Sequence, residues 1–346
     1  MRPGYPRHIM SKVKPTLKTI AEKTGLSLAT VSKALHNASD LRPETRQLVQ
    51  RVAKQVGYTP NWAGVHLRTG RSFVIAFVLN QDDEIDQFAR NMILGITMAL
   101  RETRYLLTVL PQSLGQDPME PVAYVVDNSL ADGLIITHTE PQDPRVKLLN
   151  ERDIPFITHG RTELSTPHPF HDYDNFDFTY RATKYLLARG RRNIVLITPP
   201  RVYTYYGHQL GGYMRAVYEA GVEPNLPRDV DLSAEPARLN AFARRAARSS
   251  TPPDGYICGS ENRCLALLAG ARAGGADEGR DVDFVAKQTT SLLDYIDPQI
   301  TSFGEDLKRA GEQLASLLLR RLAGEKADDL QVIDKPTFHG RKPGPT

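Results

Sequence analysis

Cysteine is nearly absent. The 346 residues include two, Cys258 and Cys264, six positions apart. That is no disulfide framework and no metal-ligand spacing, so a reduced, cytoplasmic protein is expected. No apolar run approaches the roughly 20 residues that a membrane span needs, and the basic start, residues 1–14, lacks the apolar core of a secretory signal. The first hydrophobic strand is followed by Asn80-Gln81-Asp82-Asp83-Glu84, acidic and free of glycine, where a dinucleotide fold needs G-x-G-x-x-G. No phosphate-binding P-loop, G-x-S-x-G or H-E-x-x-H occurs, and the nine histidines form no metal-spaced cluster. Catalysis therefore has no support, and neither cofactor nor metal is expected. Residues 335–346 carry no leucine heptads, so a tetramer held by a coiled coil there is not expected.

What is present is a charge asymmetry. The net charge is +4, yet residues 1–70 hold 12 lysines and arginines against Glu22, Asp40 and Glu44, a net of +9 that leaves −5 for the rest. A basic head on a mildly acidic body suits a polyanion-binding module joined to a separate domain.

The head has helical punctuation. Thr16 can cap a short helix bearing Leu17, Ile20, Ala21 and Thr24 on one face. Gly25 can end it in the left-handed conformation. Ser27 caps a second helix, residue 28 to about residue 37, with Val31, Ala34 and Leu35 inward. A turn of only Gly25-Leu26-Ser27 forces a steep crossing, the helix-turn-helix layout whose second helix enters the major groove. A third helix begins near Pro43 and runs to about Val56, with Leu48, Val49, Val52 and Val56 inward; Arg42 stands where a small capping residue is usual.

These residues carry a resemblance. T-L-x-x-I-A at 16–21, G-L-S-x-x-T-V-S at 25–32, T-R at 45–46, G-Y-x-P-N at 57–61 and a leucine six residues after Asn61 run unbroken over residues 16–70. This stretch is similar to the lactose-repressor (LacI) family of bacterial regulators. The resemblance implies a repressor-type regulator that binds a pseudo-palindromic double-stranded operator as a homodimer, at the nucleoid. It places Leu28 and Ala29 at the start of the recognition helix, where apolar side chains can meet thymine methyls but cannot make bidentate hydrogen bonds. Lys33 is left as the long reader, with guanine its expected target. Thr16, Ser27, Thr30, Ser32 and His36 suit phosphate contacts, and Asn61 belongs to the G-Y-x-P-N motif. Residues 60–69 match the family's hinge, which becomes helical on the operator, and Leu67 is the residue expected to wedge into the minor groove.

From residue 73 onward, strand-like and helical segments alternate, which predicts parallel sheets flanked by helices. Strands are expected at 73–79, 105–111, 131–137, 154–160, 192–198, 254–260 and 282–288. Helices are expected at 87–103, 119–129, 144–151, 176–189, 207–220, 236–248 and 262–274. The fold class expected is a small all-α head plus an α/β body of two doubly wound lobes, which resembles a periplasmic sugar-binding protein. The expected division is a flexible basic arm (1–13), the helix-turn-helix domain (14–58), a hinge (59–71), an effector-binding and dimerisation body (72–340) and a tail (341–346). By resemblance the chain crosses between lobes near Tyr173, Gln299 and Glu325. The first lobe is then about 72–173 plus 299–325, and the second about 174–298 plus 326–340.

Ligands of open α/β sheets lie beyond the carboxyl ends of the strands. The effector candidates there are Asn80, Gln81, Asp86, Gln87, Phe88, His159, Arg161, Asp174 and Asn175, then Tyr203, Tyr205, Gln209, Glu261, Lys287 and Gln288. Gln209 stands where the family often has a ligand-binding arginine, Glu261 where it usually has an aspartate, and Lys287-Gln288 where many members have an acidic pair. Amide and carboxylate groups read hydroxyls and tyrosines stack on sugar faces. Arg161 and Lys287 could instead pair with an anion. A small-molecule effector that is a sugar, sugar acid or sugar phosphate is expected. Two rival readings remain at this point: a body that serves only as a dimerisation scaffold, and a sugar-phosphate-processing enzyme.

Overall fold

The computed structural model describes residues 15–35, 38, 40–59, 70–80, 85–112, 117–297 and 300–340, with the side chains of residues 80 and 85–87 outside that description. The chain forms two units, residues 1–72 and 73–346.

In the first unit, α1 (Leu17–Thr24), α2 (Leu28–Leu35) and α3 (Pro43–Val56) enclose a small core of Ile20, Val31, Ala34, Val49 and Ala53. The amide of Thr19 donates to Thr16 Oγ1 (3.4 Å) and that of Thr16 to Thr19 Oγ1 (3.1 Å), a reciprocal cap on α1. Gly25 at φ 70° ends the helix, and its N–H donates to the Ala21 carbonyl. Ser27 Oγ accepts from the amide of Thr30 at 3.1 Å and caps α2. Arg42 gives α3 no side-chain cap. Leu48, expected inward, is 40% exposed, and Ala53 takes the core position. At about 100° per residue Leu48 lies roughly 105° round from the centre of the Val49–Ala53–Val56 stripe, so the pattern of β-branched and small residues wins over the larger leucine.

The second unit contains two sheets. The first has the order β10-β5-β4-β3-β1-β2, all parallel. Its strands are β1 (Val74–Asn80), β2 (Leu106–Gln112), β3 (Gly133–Ile136), β4 (Phe156–His159), β5 (Phe170–Tyr173) and β10 (Gln331–Asp334). Helices α4 (Ile85–Leu100), α5 (Met119–Asp127), α6 (Pro144–Glu151) and α12 (Leu307–Leu322) flank it. The second sheet has the order β11-β9-β8-β7-β6, built from β6 (Ile194–Ile197), β7 (Gly255–Cys258), β8 (Asp283–Gln288), β9 (Thr301–Gly304) and β11 (Thr337–His339). Only β11 runs antiparallel to its neighbour. With this sheet go α7 (Asn175–Ala188), α8 (Thr204–Glu219), α9 (Pro236–Ala247), α10 (Glu261–Gly274) and the short α11 (Leu292–Ile296).

The α/β body of two doubly wound lobes is therefore as expected, but two crossings lie later. β9 pairs with β8 in the second sheet, so the crossing placed near Gln299 follows Gly304 instead. β10 pairs with β5 in the first sheet, so the crossing placed near Glu325 follows Asp334. Segments 300–304 and 331–334 thus exchange lobes relative to the expectation. The register explains both: β9 pairs beside β8 and β10 beside β5, and the chain crosses only after each strand is spent. Strands β5, β9, β10 and β11 and helices α11 and α12 are additions to the elements expected. Of these, α12 is the largest. It buries Leu307, Ala310, Gly311, Leu314, Ala315 and Leu318 against α4 and the first sheet. The two helices approach closely through glycines: a Cβ on Gly311 would lie 2.3 Å from the Met92 carbonyl oxygen, and one on Gly95 would lie 1.9 Å from that of Lys308.

Among the described residues no helix is long and apolar enough to cross a membrane.

Candidate functional site

In the head, the start of α2 faces outward. Leu28 is 51% exposed, Ala29 and Lys33 are exposed, and Ser32 is half-buried. The hydroxyls expected to meet phosphate already do local work. Thr16 caps α1, while Ser27 Oγ lies 2.9 Å from Thr30 Oγ1 and caps α2. The Lys33 ammonium sits 2.6 Å from Asp40, an exposed pair whose lysine holds the Asp40 carboxyl below the usual range. Such a pair is weak in water, so a nucleic acid can compete for the lysine. His36, Asn61 and Leu67 lie outside the described residues.

In the body, the carboxyl ends of β4 and β5 from the first sheet and β8 from the second bring charge together. Glu305 follows β9 on the second crossing. Its carboxylate contacts Lys287 of β8 and lies 3.3 Å from His159 Nε2 of β4, so one residue on a crossing joins both lobes. Burial would raise the Glu305 pKa, but the adjacent Lys287 ammonium and His159 hold it far below the carboxylate range. Lys287 also lies 4.5 Å over the ring of Tyr173. Arg161 Nε lies 2.9 Å from Asp172 Oδ2, too poorly aligned for a hydrogen bond. Burial pushes the Asp172 carboxyl up to about 6 against the pull of Arg161.

A second group lies on α7 and α8. Asn175 Nδ2 donates to the Tyr173 carbonyl (3.1 Å), and its Oδ1 accepts from Gln209 Nε2 (2.9 Å). The Gln209 carbonyl in turn accepts from Thr179 Oγ1 at 2.7 Å. This packing needs Gly212, where a Cβ would sit 2.2 Å from the Phe176 carbonyl oxygen. An aromatic group closes the arrangement. Phe88 lies against His138 (5.9 Å between ring centres) and His159 (5.8 Å), His138 meets Tyr203 edge-on at 5.3 Å, and Tyr203 stacks on Tyr205 at 5.4 Å. Burial pushes His138 down to about 3 and His208 down to about 4, so both rings are neutral.

The structure thus gathers Phe88, His159, Arg161, Asn175, Tyr203, Tyr205, Gln209 and Lys287. Others are occupied elsewhere. Both Glu261 oxygens accept hydrogen bonds from Thr289 and Thr290, backbone and hydroxyl alike, so Glu261 fastens the loop after β8. Gln288 is spent on Ser302 and on the Thr290 carbonyl (2.7 Å). Asp174 caps α7 through the amide of Asp177 and pairs with Lys335 at 2.6 Å. Gln81 is outside the described residues, as are the side chains of Asn80, Asp86 and Gln87. Sequence reasoning missed His138, Asp172, His208 and Glu305. For His138 the signal was available, since it ends the third strand at the same carboxyl edge as the others. For Glu305 it was obscured by the misplaced second crossing.

Seven buried side-chain atoms of this group have no hydrogen-bond partner. Arg161 Nε, Asp172 Oδ2 and Glu305 Oε1 at least have an ion-pair partner; Gln209 Oε1 and the Nδ1 atoms of His159, His171 and His208 do not. A buried polar atom without a partner costs about 1–3 kcal/mol. These four, carried by β4, β5 and α8, suit a polar guest.

Comparison with known proteins agrees with both halves. Residues 16–61 match the family "Bacterial regulatory proteins, lacI family", and residues 183–342 match "Periplasmic binding protein-like domain". The chain is 26% identical over 329 residues to the HTH-type transcriptional regulator CelR of Thermobifida fusca, covering 92% of this chain and 95% of the relative. It is 27% identical over 338 residues to RafR of Escherichia coli, covering 96% and 98%. In fold it is similar to a CelR–cellobiose complex (TM-score 0.66, 24% identity, 94% and 98% covered) and to a lac repressor dimer bound to operator and an anti-inducer (TM-score 0.80, 19% identity, 95% and 98% covered).

Proposed function

Since the chain belongs to the LacI family of bacterial transcriptional regulators, we propose that it represses transcription as a homodimer on a pseudo-palindromic operator, under the control of a sugar in the interlobe cleft. Such a regulator works in the cytoplasm, at the nucleoid. It is a DNA-binding switch and not an enzyme.

The observation that carries the effector reading is the set of unpartnered buried atoms in the cleft. Gln209 Oε1 is an acceptor in need of a donor, and imidazole nitrogens can give or take a hydrogen bond according to tautomer; ligand hydroxyls supply both. The cations favour a neutral sugar over a sugar acid or sugar phosphate. Lys287 already faces Glu305 and Arg161 already faces Asp172, so an anion would have to displace a buried carboxylate from its partner. Cellobiose, bound by a relative of similar fold, is the first ligand to try.

The homodimer reading is supported by exposed apolar side chains on the first lobe. Edge strand β2 exposes Leu106 (67%) and Val109, α4 exposes Leu94 and Met98, and α5 exposes Tyr124. An uncovered edge strand that carries apolar side chains is one that soluble proteins normally cover. In the head, Leu28 and Ala29 would read thymine methyls, Lys33 would leave Asp40 for a guanine, and Leu67 would wedge the minor groove.

The test is a thermal-shift screen of neutral mono- and oligosaccharides beside sugar acids and sugar phosphates, followed by operator binding with and without each hit. A neutral sugar that raises Tm and changes operator affinity supports the reading. A screen without hits, or a hit that leaves operator affinity unchanged, favours the dimerisation scaffold. Product formation from a sugar phosphate favours the enzyme.

A further inference from the structure

The two lobes also meet through residues outside the crossing segments. Thr204, the first residue of α8 in the second lobe, donates its backbone N–H (2.9 Å) and its hydroxyl (3.1 Å) to the carbonyl of Thr139 in the first lobe. The first N–H groups of a helix have no partner within it; here the other lobe provides one, and both threonines are buried. Beside this pair, the ring of His138 lies edge-on to Tyr203 at 5.3 Å and within 6.5 Å of Tyr205.

His138 holds an unusual backbone. Its φ is +54°, in the left-handed region that non-glycine residues seldom occupy. Such a conformation persists only where its surroundings impose it, and they do. Arg145 Nη2 donates to the carbonyls of Thr137 (3.2 Å) and His138 (3.0 Å), while its guanidinium is paired with buried Asp143 (2.7 Å). Thr139 Oγ1 donates to the Arg161 carbonyl (2.9 Å). Gly160, at φ +101°, leaves room for that threonine, because a Cβ there would sit 2.7 Å from Thr139 Oγ1. A rigid base in the first lobe thus presents one ring and one carbonyl to the second.

We propose that His138 and Thr139 form a clasp with Tyr203 and Thr204 that holds the cleft shut, with His138 as its positioning residue. The clasp holds the two lobes together, and a ligand enters the cleft only while it is open. The proposal rests on the reading of the cleft as a ligand site for its consequence on entry alone; the closure is measured without ligand.

The experiment uses the full chain with spin labels on exposed positions of each lobe, Lys147→Cys and Glu223→Cys, the native cysteines Cys258 and Cys264 being buried. Electron–electron double resonance on the ligand-free parent should give one short interlobe distance. Thr204→Pro removes both donors at once. Proline is favoured at a first helical position, and Tyr203 at φ −87°, ψ 143° already has the extended backbone required before it. This variant should lose most of the short distance to a longer one, the closed-to-open ratio falling on the order of tenfold. His138→Gly, which removes the ring and relieves the backbone, should do the same. If both variants fold, by circular dichroism, and keep the parent distribution, the proposal fails. Should neither fold, hydrogen exchange of the Thr204 amide in the parent decides: strong protection supports the clasp and exchange at the rate of an exposed amide overturns it. A clasp that behaves as expected while no sugar binds would sink the effector reading and leave this one standing.

Discussion

Gln209 donates its side-chain amide to Asn175 Oδ1 at 2.9 Å and leaves its own Oε1 buried without a partner. The pair joins α8 to the start of α7 and aims one unsatisfied acceptor into the cleft. Gln209→Leu should therefore weaken sugar binding about 10- to 100-fold, the worth of one buried hydrogen bond of about 1–3 kcal/mol, with little loss of Tm. Isothermal titration calorimetry with the sugar found by screening measures it. An unchanged Kd would remove Gln209 from the site.

The reading face of the head can be separated from its core. Leu28→Ala changes a residue 51% exposed, so stability should move by less than about 0.5 kcal/mol. Specific operator affinity should fall by about 1–3 kcal/mol, with binding to unrelated DNA unaltered. Leu67→Ala should act in the same selective way; equal loss on specific and unrelated DNA, seen by fluorescence anisotropy at one salt concentration, would count against the minor-groove wedge.

Gly311→Ala tests the helix contact that seals the first lobe. The new methyl would lie 2.3 Å from the Met92 carbonyl oxygen, and backbone cannot yield as a flexible side chain does. A loss of about 1–3 kcal/mol is expected from such overpacking, read as a lower urea midpoint. A midpoint equal to the parent's would mean that α4 and α12 are not in this close contact.

Acid should destabilise the protein from an unusually high pH. Burial lowers His138 to about 3, His168 and His208 to about 4, and His171 in the same direction. The unfolded chain protonates these rings near pH 6.5 and the folded chain refuses them, so stability is full above that pH and falls as pH drops from 6.5 toward 4. Asp172, raised to about 6, works the other way between about 6 and the ordinary carboxylate value, as do Glu140 and Glu278, which burial also raises, three groups against four. Urea unfolding across this window should show proton uptake, and His208→Gln should reduce the slope by about one proton. Stability that is flat or rises on acidification would contradict this account.

Much of this was legible in the sequence because local rules and tertiary packing agree. Thr16, Gly25, Ser27 and Pro43 mark helix ends by backbone chemistry alone, and each stands at a helix end. The strands at 74–80, 194–197 and 255–258 are buried on both faces and announce themselves as apolar runs. The edges were harder. β5 reads Phe170-His171-Asp172-Tyr173, and its polar pair is buried by pairing with β4 and β10 and by Asp334, which no local pattern reveals. Glu261 shows the same limit in the site: a carboxylate at a strand end looks like a ligand reader until the loop that consumes it, Thr289-Thr290, is seen folding back on it.

The late crossings have a consequence for synthesis. β10 and α12 complete the first sheet and its helical cover, although β1 to β5 of that sheet emerge from the ribosome far earlier. β11 closes the edge of the second sheet only at residues 337–339. Neither lobe can therefore finish alone as the chain is made. The first must wait, its β5 edge unpaired and its α4 face bare, until residues 307–334 have passed the exit tunnel. The two lobes are completed nearly together. Loss of residues 327–346 would leave both unfinished rather than trim one of them, and the exposed strand edges of such a fragment would invite aggregation.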